Sequence, residues 1–231
     1  MNKSIVISGG SQGIGKALVK IFLNNGYKVI TCSRKIEKLE KLKQELQSEN
    51  LHIFQADLSK KEQVKNFADF VFNSISKIDI LINNAGFFLP GSIQNEEDNV
   101  LESQIETNVY SAYHLTRAIL PNLLENKSGQ IFNICSTASI TPYESGGSYC
   151  ISKFALLGFS KVLREELKEK GIKVTSVLPG ATLTPSWDGV DLPKERFIDV
   201  DELAKTIFNI SQLDKTAVVE EILIRPQLGD I

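Results

Sequence analysis

The sequence is poor in cysteine, in charge of one sign and in long apolar runs, and each shortage excludes a class of protein. Its three cysteines, Cys32, Cys135 and Cys150, form an odd set without C-x-x-C spacing. Such a set supports neither a disulfide framework nor a zinc site, so no metal is assigned. Each lies in or beside a run that reads as strand or helix, and they are expected as small buried thiols in a reducing compartment. The formal net charge is −2 and the charged residues are spread along the chain. A nucleic-acid surface or an acidic tail would gather charge of one sign in one place, so no nucleic-acid partner is expected. No apolar stretch reaches spanning or signal-peptide length, which leads us to expect no membrane association and a cytoplasmic location. Internal repeats, low-complexity tracts and interdomain linkers are missing too, and 231 residues suit one domain, 1–231, with a large core.

What is present is an alternation of short β-branched runs with longer helical patterns. Strands are expected at Ser4–Ser8, Tyr27–Ser33, His52–Ala56, Asp79–Asn83, Gln130–Cys135, Lys173–Leu178 and Val218–Ile224, with a helical pattern between successive pairs. That order describes an α/β fold: a doubly wound, seven-stranded parallel sheet with helices on both faces. Ser59-Lys60-Lys61-Glu62 has the spacing of a capping box, and Asp199 followed by Glu202 opens another helix. The lysine-rich segment Lys35–Asn50 keeps Leu39, Leu42 and Leu46 on one stripe, the pattern of a solvated outer helix. The run Val109–Leu124 and the helix after Tyr149 carry wider apolar arcs. In the latter, Phe154 and Leu157 fall to one side while Phe159, Leu163 and Leu167 fall toward another, so two faces require burial.

Two stretches carry chemistry. The first strand ends in Ser8-Gly9-Gly10-Ser11-Gln12-Gly13-Ile14-Gly15 and leads into a helical run. A glycine-rich turn between strand and helix lets backbone N–H groups approach a pyrophosphate at the positive end of the helix. The spacing is G-x-x-x-G-x-G rather than G-x-G-x-x-G, so its weight comes from its position after the first strand. The second stretch runs from Ile131 to Lys153, an apolar strand, a Gly/Pro/Ser-rich loop and the first turn of a helix. Tyr149 and Lys153 are four residues apart and share one face of that helix, with Ser136 at the strand end. An ammonium close to a phenol favours the phenolate, which makes such a pair an acid–base device.

Together these motifs resemble the short-chain dehydrogenase/reductase family over most of the chain. Gly9, Gly13 and Gly15 match its glycine motif, Asp57 its adenine-contacting aspartate, and Asn83-Asn84-Ala85-Gly86 its N-N-A-G. Asn108, Ser136, Tyr149 and Lys153 match its catalytic tetrad, and Pro179-Gly180 with Thr184 match its P-G-x-x-x-T. The resemblance implies a Rossmann-like oxidoreductase that interconverts a carbonyl and a secondary alcohol, with a small-molecule substrate. Tyr149 would give a proton to the carbonyl oxygen, Ser136 would hydrogen-bond that oxygen, Lys153 would hold the nicotinamide ribose, and Asn108 would position a water. Ser11 and Ile14 in the glycine loop, with Ser33 and Arg34 at the end of the second strand, would join Ala85 and the other matched residues in holding the dinucleotide.

The resemblance also implies a homodimer or homotetramer, in which the two wide-arc helices pack against their counterparts. Phe87, Phe88 and Trp187 are expected to form an apolar wall around the substrate. The segment Thr184–Val200 is expected to cover it, because irregular segments of that length are often binding loops. Cys135 stands where relatives often have serine, and Ser139 where they often have glycine. A non-catalytic NAD(P)-sensing protein is the second reading, but such a protein has no use for Tyr149 and Lys153.

One further shortage bears on the cofactor. The second strand ends Thr31-Cys32-Ser33-Arg34-Lys35, with no acidic side chain where an NAD-selective site binds the ribose hydroxyls. Ser33 takes the place of the acid and Arg34 can pair with a 2′-phosphate. NADP(H) is therefore expected in preference to NAD(H).

Overall fold

Runs of Val, Ile and Leu that are apolar on both faces fold as strands covered from both sides, which is the condition of a parallel sheet. Seven strands form here, β1 (Ser4–Ser8), β2 (Lys28–Ser33), β3 (Leu51–Gln55), β4 (Ile80–Asn83), β5 (Gly129–Ile134), β6 (Ile172–Pro179) and β7 (Glu221–Ile224); β1, β2, β4, β5 and β6 are buried along most of their length, while β3 and β7 are only partly covered. In a computed structural model that describes residues 3–231, they form one sheet in the order β3-β2-β1-β4-β5-β6-β7, every pairing parallel. Each expected strand is present, with ends shifted by at most three residues, at Val218 against Glu221.

Helices α1 (Gly13–Asn24), α2 (Ile36–Leu46), α3 (Lys61–Ser74), α4 (Val100–Ile105), α5 (Ser111–Glu125), α6 (Gly147–Leu167) and α7 (Val200–Ser211) cover the two faces. Successive strand side chains alternate between them. Ile5 and Ile7 of β1, with Ile80 and Ile82 of β4, pack on Leu18 and Phe22 of α1 and on Leu203 and Ile207 of α7. Val6 and Leu81 face the other way, onto Phe67 of α3, Ile119 of α5 and Leu163 of α6. The α2 stripe lies as expected, with Leu39 and Leu42 buried.

Two local expectations need correction. Ser59 does not cap α3, whose N-cap is Lys60 with no side-chain bond. The hydroxyl is displaced because Asp57 forms the turn: its Oδ1 accepts the Ser59 N–H at 3.0 Å, while Gln63 Oε1 accepts the Asp57 N–H at 2.7 Å. The run Val109–Leu124 is not one α-helix, since Glu106–Tyr110 forms a π turn between α4 and α5. A π turn inserts one residue into a helix and is often found at functional sites. Asp199 does cap α7, accepting the N–H groups of Asp201 and Glu202 at 2.8 and 3.2 Å.

A row of polar side chains crosses the sheet on the α5/α6 side. Asn83, Asn133 and Ser176 are in register on β4, β5 and β6. Asn83 Nδ2 donates to Thr116 Oγ1 at 2.9 Å and to Asn133 Oδ1 at 2.8 Å. Asn133 Nδ2 donates to Ser160 Oγ at 2.9 Å, and Ser176 Oγ donates to the same hydroxyl at 2.8 Å. All of these residues are buried, so each bond replaces one that water would otherwise make. Asn133→Ala would leave Asn83 and Ser160 short of partners and is expected to cost about 2–4 kcal/mol. A urea unfolding curve should show a lower midpoint at an unchanged slope.

Candidate active site

In this strand order the chain leaves β1 and β4 toward opposite faces, which opens a crevice at their carboxyl ends. Two side chains hold its floor. Ser8 Oγ accepts the N–H groups of Asn84 and Ala85, both at 2.9 Å. In return Asn84 Nδ2 donates to the carbonyls of Ser8 and Gly9 at 2.9 and 3.1 Å. The N–H groups of Gly9 and Gly10 donate to the Cys32 carbonyl at 3.0 and 3.2 Å, so the glycine loop is fastened to β2 as well. A Cβ on Gly15 would collide with the Gly9 carbonyl and lie 2.6 Å from Asn84 Nδ2. Nothing larger than glycine fits between loop and helix there. Gln12, the N-cap of α1, makes no side-chain capping bond. The first turn of α1 thus lacks the side-chain partner that helix ends ordinarily have, and its N–H groups suit an anion.

Above this floor lies a cleft of about 880 Å³. The loop residues Gly9, Ser11, Gly13, Ile14 and Gly15 line one part, with Ser33, Arg34 and Asp57 beside them. Asn84, Ala85 and Gly86 line the cleft too, with Pro179, Gly180 and Thr184. Ser136, Tyr149 and Lys153 line the rest together with Phe87, Phe88 and Trp187. The exposed guanidinium of Arg34 makes no ion pair among the described residues. Its backbone is pinned, because Gln55 Nε2 donates to the Arg34 carbonyl at 3.1 Å and Ser33 Oγ accepts the Lys35 N–H at 3.1 Å.

Lys153 is 6% exposed, and its Nζ donates to the Ile134 carbonyl at 2.9 Å. It lies 5.7 Å from the centre of the Tyr149 ring. An ammonium has three donors, and this single backbone acceptor leaves two for the cleft. Phe88 packs edge-on against Tyr149 with ring centres 4.9 Å apart. Ser136 stands two residues beyond β5, as the N-cap of a short 3-10 turn (Thr137–Ser139). Its Oγ accepts the Ala138 N–H at 3.1 Å, and Ser139 Oγ accepts the Ser136 N–H at 3.2 Å. The Ser136 hydroxyl hydrogen is thereby left to donate. Ser139 holds Ser136 in a way that glycine, with no side chain, could not.

Asn108 is the one expected site residue that does not line the cleft. It sits in the π turn, 1% exposed, behind the wall. Its Oδ1 accepts the Phe87 N–H at 2.9 Å, and its Nδ2 donates to the Phe87 carbonyl at 3.1 Å and to Ser152 Oγ at 2.9 Å. Ser152 Oγ in turn donates to the Tyr149 carbonyl at 2.7 Å. The side chain is a strut between the segment at Phe87 and α6.

The structure adds lining residues that the motifs do not indicate. Gln12, Lys35 and Lys38 flank Arg34, and Lys38 Nζ donates to Gln12 Oε1. Thr141, Tyr143 and Glu144 line the cleft as well. Burial, then the neighbouring Tyr149 and Cys150, push the Tyr143 phenol above the ordinary tyrosine range. Cys135, also in the wall, is pushed up to about 12 by burial, so its thiol is no nucleophile at neutral pH. The segment Thr184–Val200 is partly regular, with 3-10 turns at Pro185–Trp187 and Lys194–Arg196, and Trp187 packs edge-on against Phe197 at 5.1 Å. Among the described residues no helix is long and apolar enough to cross a membrane, and no metal-binding cluster of His, Cys, Asp or Glu occurs.

Known proteins share this fold. The family model described as short chain dehydrogenase matches residues 3–194. An uncharacterized oxidoreductase of Bacillus subtilis is 35% identical over 230 residues, covering 95% of this chain and 86% of that one. Another from Staphylococcus saprophyticus is 29% identical over 238 residues, covering 97% and 96%. Among solved structures, an alcohol dehydrogenase from Thermococcus sibiricus complexed with 5-hydroxy-NADP superposes with a TM-score of 0.92 at 26% identity, covering 100% of this chain and 99% of that one. A serine dehydrogenase from Escherichia coli superposes with a TM-score of 0.88 at 28% identity, covering 99% and 100%.

Proposed function

This chain belongs to the short-chain dehydrogenase family, and on that premise we propose that it is an NADP(H)-dependent oxidoreductase interconverting a carbonyl and a secondary alcohol. What carries the reading is the buried ammonium of Lys153, tethered by one backbone bond and turned with Tyr149 into the cleft that the glycine loop enters. A buried cation without a carboxylate partner is costly unless it serves a ligand. The cleft fits the dinucleotide on independent grounds: the uncapped start of α1, the close approach at Gly15 and the guanidinium of Arg34, which makes no ion pair among the described residues.

Bound there, the cofactor would supply hydride chemistry. The chain's own residues do the rest. Tyr149 donates a proton to the carbonyl oxygen, and the free hydrogen of Ser136 steadies that oxygen as charge develops on it. Lys153 holds ribose hydroxyls with its remaining donors and puts a positive charge beside the phenol that releases the proton. Asn108 keeps Phe87 and α6 at fixed separation, and any water it orders would be held from that strut. Phe87, Phe88 and Trp187 give an apolar wall for a small carbonyl substrate, with the Thr184–Val200 segment over it. A sheet that takes β1 from Ser4–Ser8 and β7 from Glu221–Ile224 favours residues 1–231 working as one unit. The three free, buried cysteines suit a reducing, cytoplasmic setting.

Tyr149→Phe is expected to lower kcat by roughly 10²–10⁴ while NADPH binding, followed by cofactor fluorescence, stays intact. A variant that kept most of the wild-type rate on a panel of ketones and aldehydes would remove Tyr149 from the mechanism.

Preference for NADP(H) rests on Arg34. Arg34→Ala should forfeit a charge-assisted hydrogen bond, roughly 1.5–3 kcal/mol, for NADPH and little for NADH. Combined with Ser33→Asp, which adds repulsion of the 2′-phosphate, it should reverse the preference. A wild-type kcat/KM higher with NADH than with NADPH would refute the assignment.

We further propose a homodimer or homotetramer built on α5 and α6. Tyr113 is 39% exposed and packs on Phe159, while Ile151 and Phe154 of α6 are 43% and 45% exposed. Large side chains left open on adjoining helices mark a contact surface. Sedimentation at micromolar concentration should give a dimer or larger species, and a monomer would contradict the proposal.

A further inference from the structure

Helix α6 carries Tyr149 in its first turn, yet has no cap of its own: the N-cap is Gly146, which has no side chain. The missing partner comes from 52 positions earlier in the sequence, where Glu96 Oε1 accepts the Ser148 N–H at 2.9 Å. Its second oxygen, Oε2, accepts the Ser148 hydroxyl. One carboxylate therefore grips the residue next to Tyr149 by both main chain and side chain.

The surroundings are shaped to seat it. A Cβ on Gly91 would lie 2.7 Å from Glu96 Cγ, and one on Gly147 would collide with Oε1 and lie 2.5 Å from the Gly91 carbonyl. The Gly91 N–H donates to the Ser145 carbonyl at 2.9 Å, and Gly91 and Gly146 form an isolated parallel bridge. Glu96 belongs to the segment that follows Phe88, whose ring packs on Tyr149. That segment is also held at Phe87 by Asn108 and at Leu89 by Gln104, whose Nε2 donates to the Leu89 carbonyl at 3.3 Å. Glu96 fastens its far end to the start of α6.

We infer that Glu96 is a positioning residue for Tyr149: its carboxylate, supplied from the substrate-side segment, caps α6 and fixes where the phenol stands. The inference rests on the reading of Tyr149 as proton donor. A negative charge at the positive end of a helix is favourable, and a carboxylate can accept from two donors at once, which no neutral side chain does equally well. A proton donor displaced by about 1 Å can lose on the order of 10² in rate.

The test is Glu96→Gln in the full chain, which keeps the shape but replaces one acceptor oxygen with a donor and removes the charge. Its kcat for NADPH-dependent carbonyl reduction should fall about ten- to a hundredfold. The NADPH dissociation constant should be unchanged, because the glycine loop and Arg34 are untouched and Lys153 keeps its own tether to the Ile134 carbonyl. Amide exchange over residues 147–150 should speed up. In a Tyr149→Phe background the same substitution should cost nothing further in rate, since the residue it positions has lost its proton. Ser148→Ala removes half of the grip with little risk to folding and should give a smaller loss with the same non-additivity. Wild-type kcat in both variants overturns the inference, and so does a loss of equal size in the Tyr149→Phe background. If Tyr149→Phe alone keeps the wild-type rate, the failure lies in the reading of Tyr149 and the inference falls with it.

Discussion

Where β1 and β4 end, the chain departs to opposite faces of the sheet, and the backbone groups left at the fork must find partners without water. Ser8 and Asn84 supply them, each side chain reaching across to the other's main chain. This reciprocal tie lets the crevice open without an unsatisfied floor. It fixes the glycine loop against the Asn84-Ala85-Gly86 turn, and so fixes the distance between the glycine-loop end of the cleft and the end that carries Tyr149. The polar row beginning at Asn83, one residue earlier, extends the same support through β5 to α6.

The helix N-termini at the cleft are treated in opposite ways. The start of α1 has no side-chain cap, and its dipole is available to a phosphate brought from outside. The start of α6 is filled by Glu96, and its dipole serves to hold the fold. The difference matches the proposed function, in which one helix binds by its end while the other presents Tyr149 and Lys153 on its flank. Lys153, hidden and singly tethered, completes the division, with Arg34, Lys35 and Lys38 giving the opposite end its positive charge.

The glycine loop, the strand alternation and the Tyr149/Lys153 pair are legible because each depends on residues close in sequence. Four glycines in seven residues after an apolar strand have few uses, and a pair four apart on a helix shares a face wherever the helix goes. Ser59 misleads for the same reason in reverse: its spacing fits a capping box, but Asp57 and Gln63 compete for the same turn and win. The π turn at Glu106–Tyr110 leaves no trace in the apolar pattern, since one inserted residue shifts a helical stripe less than ordinary substitution blurs it.

Sequence alone determined the succession of strands and helices, the glycine-rich loop, the missing acid after β2 and most of the motif residues that line the cleft, because backbone period, glycine and charge act locally. The tertiary structure decided what those residues lean on. Asn108 proved to be a strut behind the wall, Ser139 the partner that holds Ser136, and Glu96 the cap of a helix that begins far later in the chain. Such pairings join segments that meet only after the sheet has assembled, and a carboxylate in a loop carries no mark in the sequence of the N–H it will accept.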